Sequence, residues 1–199
     1  CGYPFEELIK AAVKNAKKAK EEANKDAYIV LDIGPIGQLL QPLGSLSFDE
    51  AYAIIKAQVE CVKDEVDAIL LETMSDLYEV KAGILAVKET CDVPLFVSMT
   101  FQKDGRTLTG SDPLTFVNVV EGLGVDVLGV NCSLGPKQLT KVAEELLENA
   151  SVPVILKPNA GLPEIKDGKT KFNVTPEEFA EDVTKLIKKG LRVVGGCCG

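Results

Sequence analysis

The chain has 199 residues, 46% hydrophobic and 26% charged, which suits one globular enzyme domain with a sizeable core. Its 22 Lys and Arg against 30 Asp and Glu give a net charge of −8, and an acidic surface repels phosphate backbones and anionic lipids, so nucleic acid and membranes are poor partners. Histidine is absent, which excludes Ser-His-Asp, Cys-His and His-based metal chemistry from these residues.

Cys1-Gly2-Tyr3-Pro4 carries neither a basic n-region nor an apolar h-region, so no signal peptide is read and the cytoplasm is the expected compartment. Apolar residues at Leu8, Ala11, Ala12 and Ala16 predict an amphipathic helix from Phe5 to about Asn24. A short strand, Tyr28–Ile33, is stopped by Gly34-Pro35. A second helix runs from Asp49/Glu50 to about Asp64, with Ser47 as its cap. Further strands are predicted at Ala68–Glu72, Leu95–Thr100, Val125–Asn131, Val154–Lys157 and Arg192–Gly196. Between them fall helices at Tyr78–Thr90, Pro113–Gly122, Pro136–Glu148 and Pro176–Gly190, the last opened by Thr175-Pro176-Glu177-Glu178. The stretch from Asn159 to Val174, with Asp167-Gly168 inside it, reads as a hairpin-like excursion. All apolar runs are too short to span a bilayer.

Strands alternating with helices imply parallel βαβ units. Polar residues follow the strands at Asp32, Glu72, Thr100, Asn131-Cys132, Asn159 and Gly195-Gly196-Cys197-Cys198. Functional groups at the carboxyl ends of many successive strands are the habit of a (β/α)8 TIM barrel. A doubly wound fold gathers them at one switch point, usually with a G-x-G-x-x-G turn that this sequence lacks. The expectation is therefore an α/β barrel domain over residues 1–199. Only six strands are legible, so the barrel is expected to lack its first two strands and its last helix, with two open parallel edges.

Asn131-Cys132-Ser133-Leu134-Gly135-Pro136 and Gly195-Gly196-Cys197-Cys198-Gly199 carry the strongest chemical signal. In a barrel these strand ends share one mouth, and three thiolates there suit zinc with a fourth position open to substrate. The same cysteines read equally well as small buried residues. Cys61, on a helix face, and Cys91, past a helix end, read as core-filling or surface thiols; Cys1 is terminal and uninformative. Glu72 ends an apolar strand, where an unpaired carboxylate is costly. It fits a ligand ammonium, a salt bridge or the N-terminal charge of the following helix. Asp32 fits either a substrate hydrogen bond or a cap.

Gly195-Gly196-Cys197-Cys198-Gly199 and Val130-Asn131-Cys132-Ser133 resemble the signatures of the homocysteine S-methyltransferase family. So do Asp32-Ile33-Gly34-Pro35, Leu71-Glu72-Thr73 with Ser75-Asp76, Leu108-Thr109-Gly110 and Pro158-Asn159-Ala160-Gly161, in family order. Asp32-Ile33-Gly34-Pro35 followed by Pro42-Leu43-Gly44 resembles the cobalamin-dependent methionine synthase branch. The resemblance implies Zn2+ on Cys132, Cys197 and Cys198, with the homocysteine sulfur as fourth ligand. It implies Glu72 as partner of the homocysteine ammonium, with Asp32, Thr73 and Asn159 as further substrate-binding residues. Asn159 is also a candidate to fill the fourth position when substrate is absent. The implied reaction forms methionine, with methylcobalamin as donor supplied by cobalamin- and folate-binding modules in the same or separate chains. Betaine, S-methylmethionine and S-adenosylmethionine are alternative donors. A non-catalytic zinc-binding barrel fragment and a phosphate-binding barrel using Val194-Gly195-Gly196 are rival classes. Family members open with an Asp-Gly-Ala/Gly strand and a second strand bearing Thr-Asn-Thr-Phe-like residues, and neither motif occurs here.

Overall fold

The computed structural model describes residues 2–166 and 168–199. Cys1, and Asp167 of the expected Asp167-Gly168 turn, lie outside the described residues. In chain order the elements are α1 (Phe5–Ala23), β1 (Val30–Ile33), α2 (Phe48–Glu60), β2 (Ala68–Met74), α3 (Leu77–Lys88), β3 (Leu95–Met99) and α4 (Pro113–Gly122). They continue with β4 (Val127–Asn131), α5 (Pro136–Asn149), β5 (Val154–Lys157), β6 (Glu164–Lys166), β7 (Lys169–Lys171), α6 (Pro176–Ile187) and β8 (Val193–Val194). Every predicted helix and strand is present, with ends moved by a few residues, as fraying termini do. The Asn159–Val174 excursion is the antiparallel pair β6–β7.

The helix starts follow from their caps. Ser47 and Glu50 form a reciprocal capping box on α2, and Thr175 and Glu178 form another on α6. Asp76 accepts from Tyr78 N at α3, and Asp112 accepts from Thr115 N at α4, with Pro113 at the first helical position. Each such cap stabilises by about 1 kcal/mol.

β1, β2, β3, β4, β5 and β8 form a six-stranded parallel sheet in that order. Strand order equal to chain order, with right-handed crossovers, puts the connecting helices on one face, as in a barrel. Alternate residues along each strand share that face, although β2, β4 and β5 are buried on both faces. Leu31, Ile33, Ile69, Leu71, Leu95, Val97, Met99, Leu128, Val130, Val154 and Leu156 are all buried. Gly83 lets α3 come close to β2: a Cβ there would meet Leu71 Cδ1 at 2.8 Å.

The intervening positions look to the other, concave face. Register aligns Asp32 with Leu70, Leu70 with Phe96, Ser98 with Gly129, Gly129 with Ile155, and Asn131 with Lys157. This face is covered less at its margin, where Val30 is 40% exposed and Val193 is half-buried. Its carboxyl edge is a polar tier of Asp32, Glu72, Ser98, Asn131 and Lys157, bounded by Gly195. α1 buries only Val13, because it packs beside the free edge of β1. No helix among the described residues is long and apolar enough to cross a membrane.

Candidate metal centre

Cys132 follows β4 directly. It and Ser133 both adopt the left-handed conformation, at φ 59° each, which turns the chain sharply away from the strand before α5 begins. Cys132 N donates to Lys157 O at 3.0 Å, and Leu134 N donates to Cys132 O at 2.7 Å, so the turn stays stitched to β5. On the other side, Gly195 N donates to Leu156 O and Cys197 N to Pro158 O, both at 3.0 Å, so the backbone follows β5 beyond the two-residue β8. Cys198 N then donates to Asn159 Oδ1 at 3.0 Å, and Ala160 N returns a bond to Cys198 O at 2.8 Å. The Pro158-Asn159-Ala160 loop is the seam that brings the two cysteine segments together.

The Sγ atoms of Cys132, Cys197 and Cys198 lie within 4.8 Å of one another. Cys198 Sγ stands 4.0 Å from both Cys132 Sγ and Cys197 Sγ. Thiolates at about 2.3 Å from a tetrahedral zinc are about 3.8 Å apart, so three soft donors are placed at the spacing such an ion requires. All three thiols are free, Cys132 half-buried and the other two exposed. Burial first, then the adjoining Cys132 thiol, pushes the Cys197 thiol up to about 12. A bound cation would favour the ionised form of the Cys197 thiol. Cys61 and Cys91 stand apart: each thiol points back to its own helix, at Ala57 O and Val87 O, and packs against the core.

Asn131, 0% exposed, ties this centre to the sheet. Its Oδ1 accepts from Thr73 N at 3.0 Å and from Ser98 Oγ at 2.8 Å. Its Nδ2 donates to Thr73 Oγ1 at 2.8 Å and approaches Cys197 Sγ at 3.8 Å. Thr73 sits at φ 61° where the β2–β3 register shifts, a backbone geometry that this two-way clasp holds in place.

Glu72 reaches across the concave face to form an ion pair with Lys157 of β5. Glu72 Oε1 is enclosed, and among the described residues the Lys157 ammonium is its one partner. Asp32 lies at the exposed edge of β1, and its carboxyl is pushed up by the surrounding protein and then by Glu72, with Lys157 opposing. Two adjacent carboxylates and one ammonium thus line the mouth.

The structure brings Cys132, Cys197 and Cys198 together, with Thr73 and Asn159 fastened to their loops and Glu72 beside Asp32. Asn159 Oδ1 accepts from Cys198 N and so clasps that loop. Glu72 meets a protein ammonium, which is the salt-bridge option of the sequence reading, and Tyr78 N at the start of α3 takes Asp76 instead. Lys157, Asn131 and Ser98 are site residues that sequence reasoning gave no role. The available signal was a lysine ending an apolar strand just before Pro158.

A parallel sheet with strands in chain order, helices on one face and a three-cysteine donor set at its carboxyl edge defines a barrel-type α/β protein with a metal-competent thiol centre. The family model for homocysteine S-methyltransferase matches residues 3–199, and the chain belongs to that family. It is 34% identical over 187 residues to a methionine synthase of Mycobacterium tuberculosis, covering 88% of this chain and 15% of that protein. It is 34% identical over 181 residues to a methionine synthase of Mycobacterium leprae, covering 86% and 15%. The chain therefore spans about 15% of the length of these curated relatives. The apo crystal structure of the Escherichia coli homocysteine methyltransferase MmuM superimposes with a TM-score of 0.79 at 20% identity, over 100% of this chain and 71% of that one. Its metallated form gives 0.79 at 22% identity, over 97% and 66%. These two likenesses establish the shared fold.

Proposed function

We propose that this chain binds homocysteine and activates its thiol for methyl transfer to give methionine, with Cys132, Cys197 and Cys198 holding zinc. The observation that carries the reading is the sulfur triangle, set by the bond from Cys132 N to Lys157 O and by the bonds that tie Cys197 and Cys198 to the Pro158-Asn159-Ala160 loop. Zinc bound there would supply the positive charge that keeps the homocysteine sulfur a thiolate near neutral pH, where a free thiol of pKa about 8.5 is mostly protonated. Three thiolate ligands already exceed the ion's charge, so electron density stays on the substrate sulfur.

The protein's own groups orient that sulfur. Glu72 and Asp32 face the ammonium end of the amino acid, while Asn131 and Asn159 hold the cysteine loops rigid. In the transfer itself the sulfur–carbon bond forms as the methyl–donor bond breaks, and that electron pair leaves with the donor. The sulfur carries no proton at that point, so no general base is required. The methionine synthase relatives favour methylcobalamin as donor, presented by cobalamin- and folate-binding modules in the same or separate chains, with the cytoplasm as the working compartment.

The free edges of β1 and β8 and the thin packing of α1 support a barrel of eight strands in which two more strands close the concave face. An unpaired parallel edge is otherwise a liability. The test is elemental analysis of protein purified without chelator: about one zinc per chain, lost in Cys198→Ser, followed by homocysteine binding by calorimetry. A folded protein with no zinc overturns the metal reading.

A further inference from the structure

We propose that Lys157 is the carboxylate anchor of the amino-acid site and, in the empty site, the stand-in for the substrate's ammonium on Glu72. The proposal rests on the homocysteine reading above and goes beyond it, because it makes the mouth a reader of both charged ends of the amino acid.

Three observations carry it. Lys157 and Glu72 sit on the same concave face, three strands apart, and their long side chains meet over the small residues Ser98 and Gly129. The space for the lysine stem is built in: a Cβ on Gly195 would lie 3.0 Å from Lys157 Cδ and 3.1 Å from Cγ. Among the described residues the Lys157 ammonium is the one partner of the enclosed Glu72 Oε1, so that oxygen is reserved for whichever ammonium, with its three N–H donors, occupies the mouth. Lys157 is also rooted beside the sulfurs, since its carbonyl accepts from Cys132 N.

An α-amino acid held by its sulfur brings an ammonium and a carboxylate on one carbon. Its ammonium takes the place of Lys157 Nζ on Glu72, and the displaced Nζ, on a flexible stem, swings to the neighbouring carboxylate. The charges along the mouth then alternate through Asp32, the substrate ammonium, Glu72, Lys157 and the substrate carboxylate. A thiol with only one charged end leaves either Glu72 or Lys157 without exchange.

The experiment is calorimetric binding to the intact zinc-loaded protein of homocysteine and of 3-mercaptopropylamine, which keeps the thiol and ammonium and lacks the carboxylate. The native protein is expected to prefer homocysteine by about 10- to 100-fold, the range of one charge-assisted hydrogen bond. Lys157→Met is expected to remove most of that preference by weakening homocysteine and sparing the amine, and Lys157→Arg to restore part of it. Native protein that binds both thiols equally overturns the proposal without any variant. So does a preference unchanged in a folded Lys157→Met, while homocysteine binding still supports the broader reading. Native protein that binds neither thiol overturns both.

Discussion

The two ends of the sheet use the same residue type in opposite ways. At the amino end, Asp67 accepts from Ile29 N at 2.6 Å and Asp126 from Leu95 N at 2.8 Å while also pairing with Lys88. Glu121 accepts there from Ser151 N and Ser151 Oγ. Each of these carboxylates accepts from a backbone N–H at or just before the start of a strand. At the carboxyl end, the enclosed Glu72 Oε1 has the Lys157 ammonium as its partner, and the Asp32 carboxyl is pushed up by its surroundings and by Glu72. Acids at the amino end bond backbone N–H groups, whereas Glu72 and Asp32 face other charged side chains. That is the division between a stability face and a functional face expected of barrel proteins.

This contrast can be broken most sharply at Glu72. Glu72→Gln removes the charge that faces the substrate ammonium and leaves Lys157 unpaired, so homocysteine affinity is expected to fall by about 30-fold or more beside a smaller loss of thermal stability. Calorimetry beside a melting curve separates the two effects, and a large loss of stability with intact binding would place Glu72 among the stitching acids.

Asn131→Ala is the next largest expected effect, and it falls on both sides of the divide. It leaves Thr73 N and Ser98 Oγ without their buried acceptor, at about 1–3 kcal/mol of stability, read as a shift in the denaturant midpoint. It also frees the Cys197 loop, and zinc affinity is expected to drop about 10- to 100-fold, as for the outer partners of metal ligands.

Asp126→Ala should act on the fold alone. Losing the bond to Leu95 N costs about 1 kcal/mol. Zinc content and homocysteine binding should be unchanged, and a change in either would show that the amino end communicates with the mouth.

The smallest effect is a pH dependence at Glu79, a 3% exposed acid on α3 whose Oε1 accepts from Ile36 N at 2.7 Å, fastening the loop after β1. Burial, partly offset by that N–H, pushes its carboxyl above the ordinary 4.5, and Asp76 adds to the rise. The native state therefore holds this proton more tightly than the unfolded chain. The stability it contributes is present below about pH 4.5 and declines as pH climbs through the raised value. Glu79→Gln keeps an acceptor and removes the proton, so the variant should gain on the native protein between pH 4 and pH 7 in urea denaturation. A constant difference across that range would contradict the raised value.

How much of this was legible from sequence differs by element. Ser47 and Thr175 announced their helices because a cap is a local exchange of two hydrogen bonds within four residues. The strand ends announced Asp32, Glu72, Cys132, Cys197 and Cys198 as candidates, because a polar residue closing an apolar run is visible without knowing its neighbours. The partners of those residues were not visible. Lys157 lies 85 positions beyond Glu72 in the chain, and only register and curvature bring the two into contact.

The sequence by itself determined the alternation of strands and helices, the caps, and the three cysteines as the only rich set of soft donors at strand ends. These depend on periodicity and on chemistry carried within one segment. Tertiary structure alone decided that Asn131 clasps Thr73 and Ser98 and that Asn159 engages Cys198 N. It alone decided that Lys157 sits on Glu72. The choices made on the strands depend on which side chains share a face, and a shift of one residue in register would turn Asn131, Ser98, Glu72 or Lys157 to the other side of the sheet.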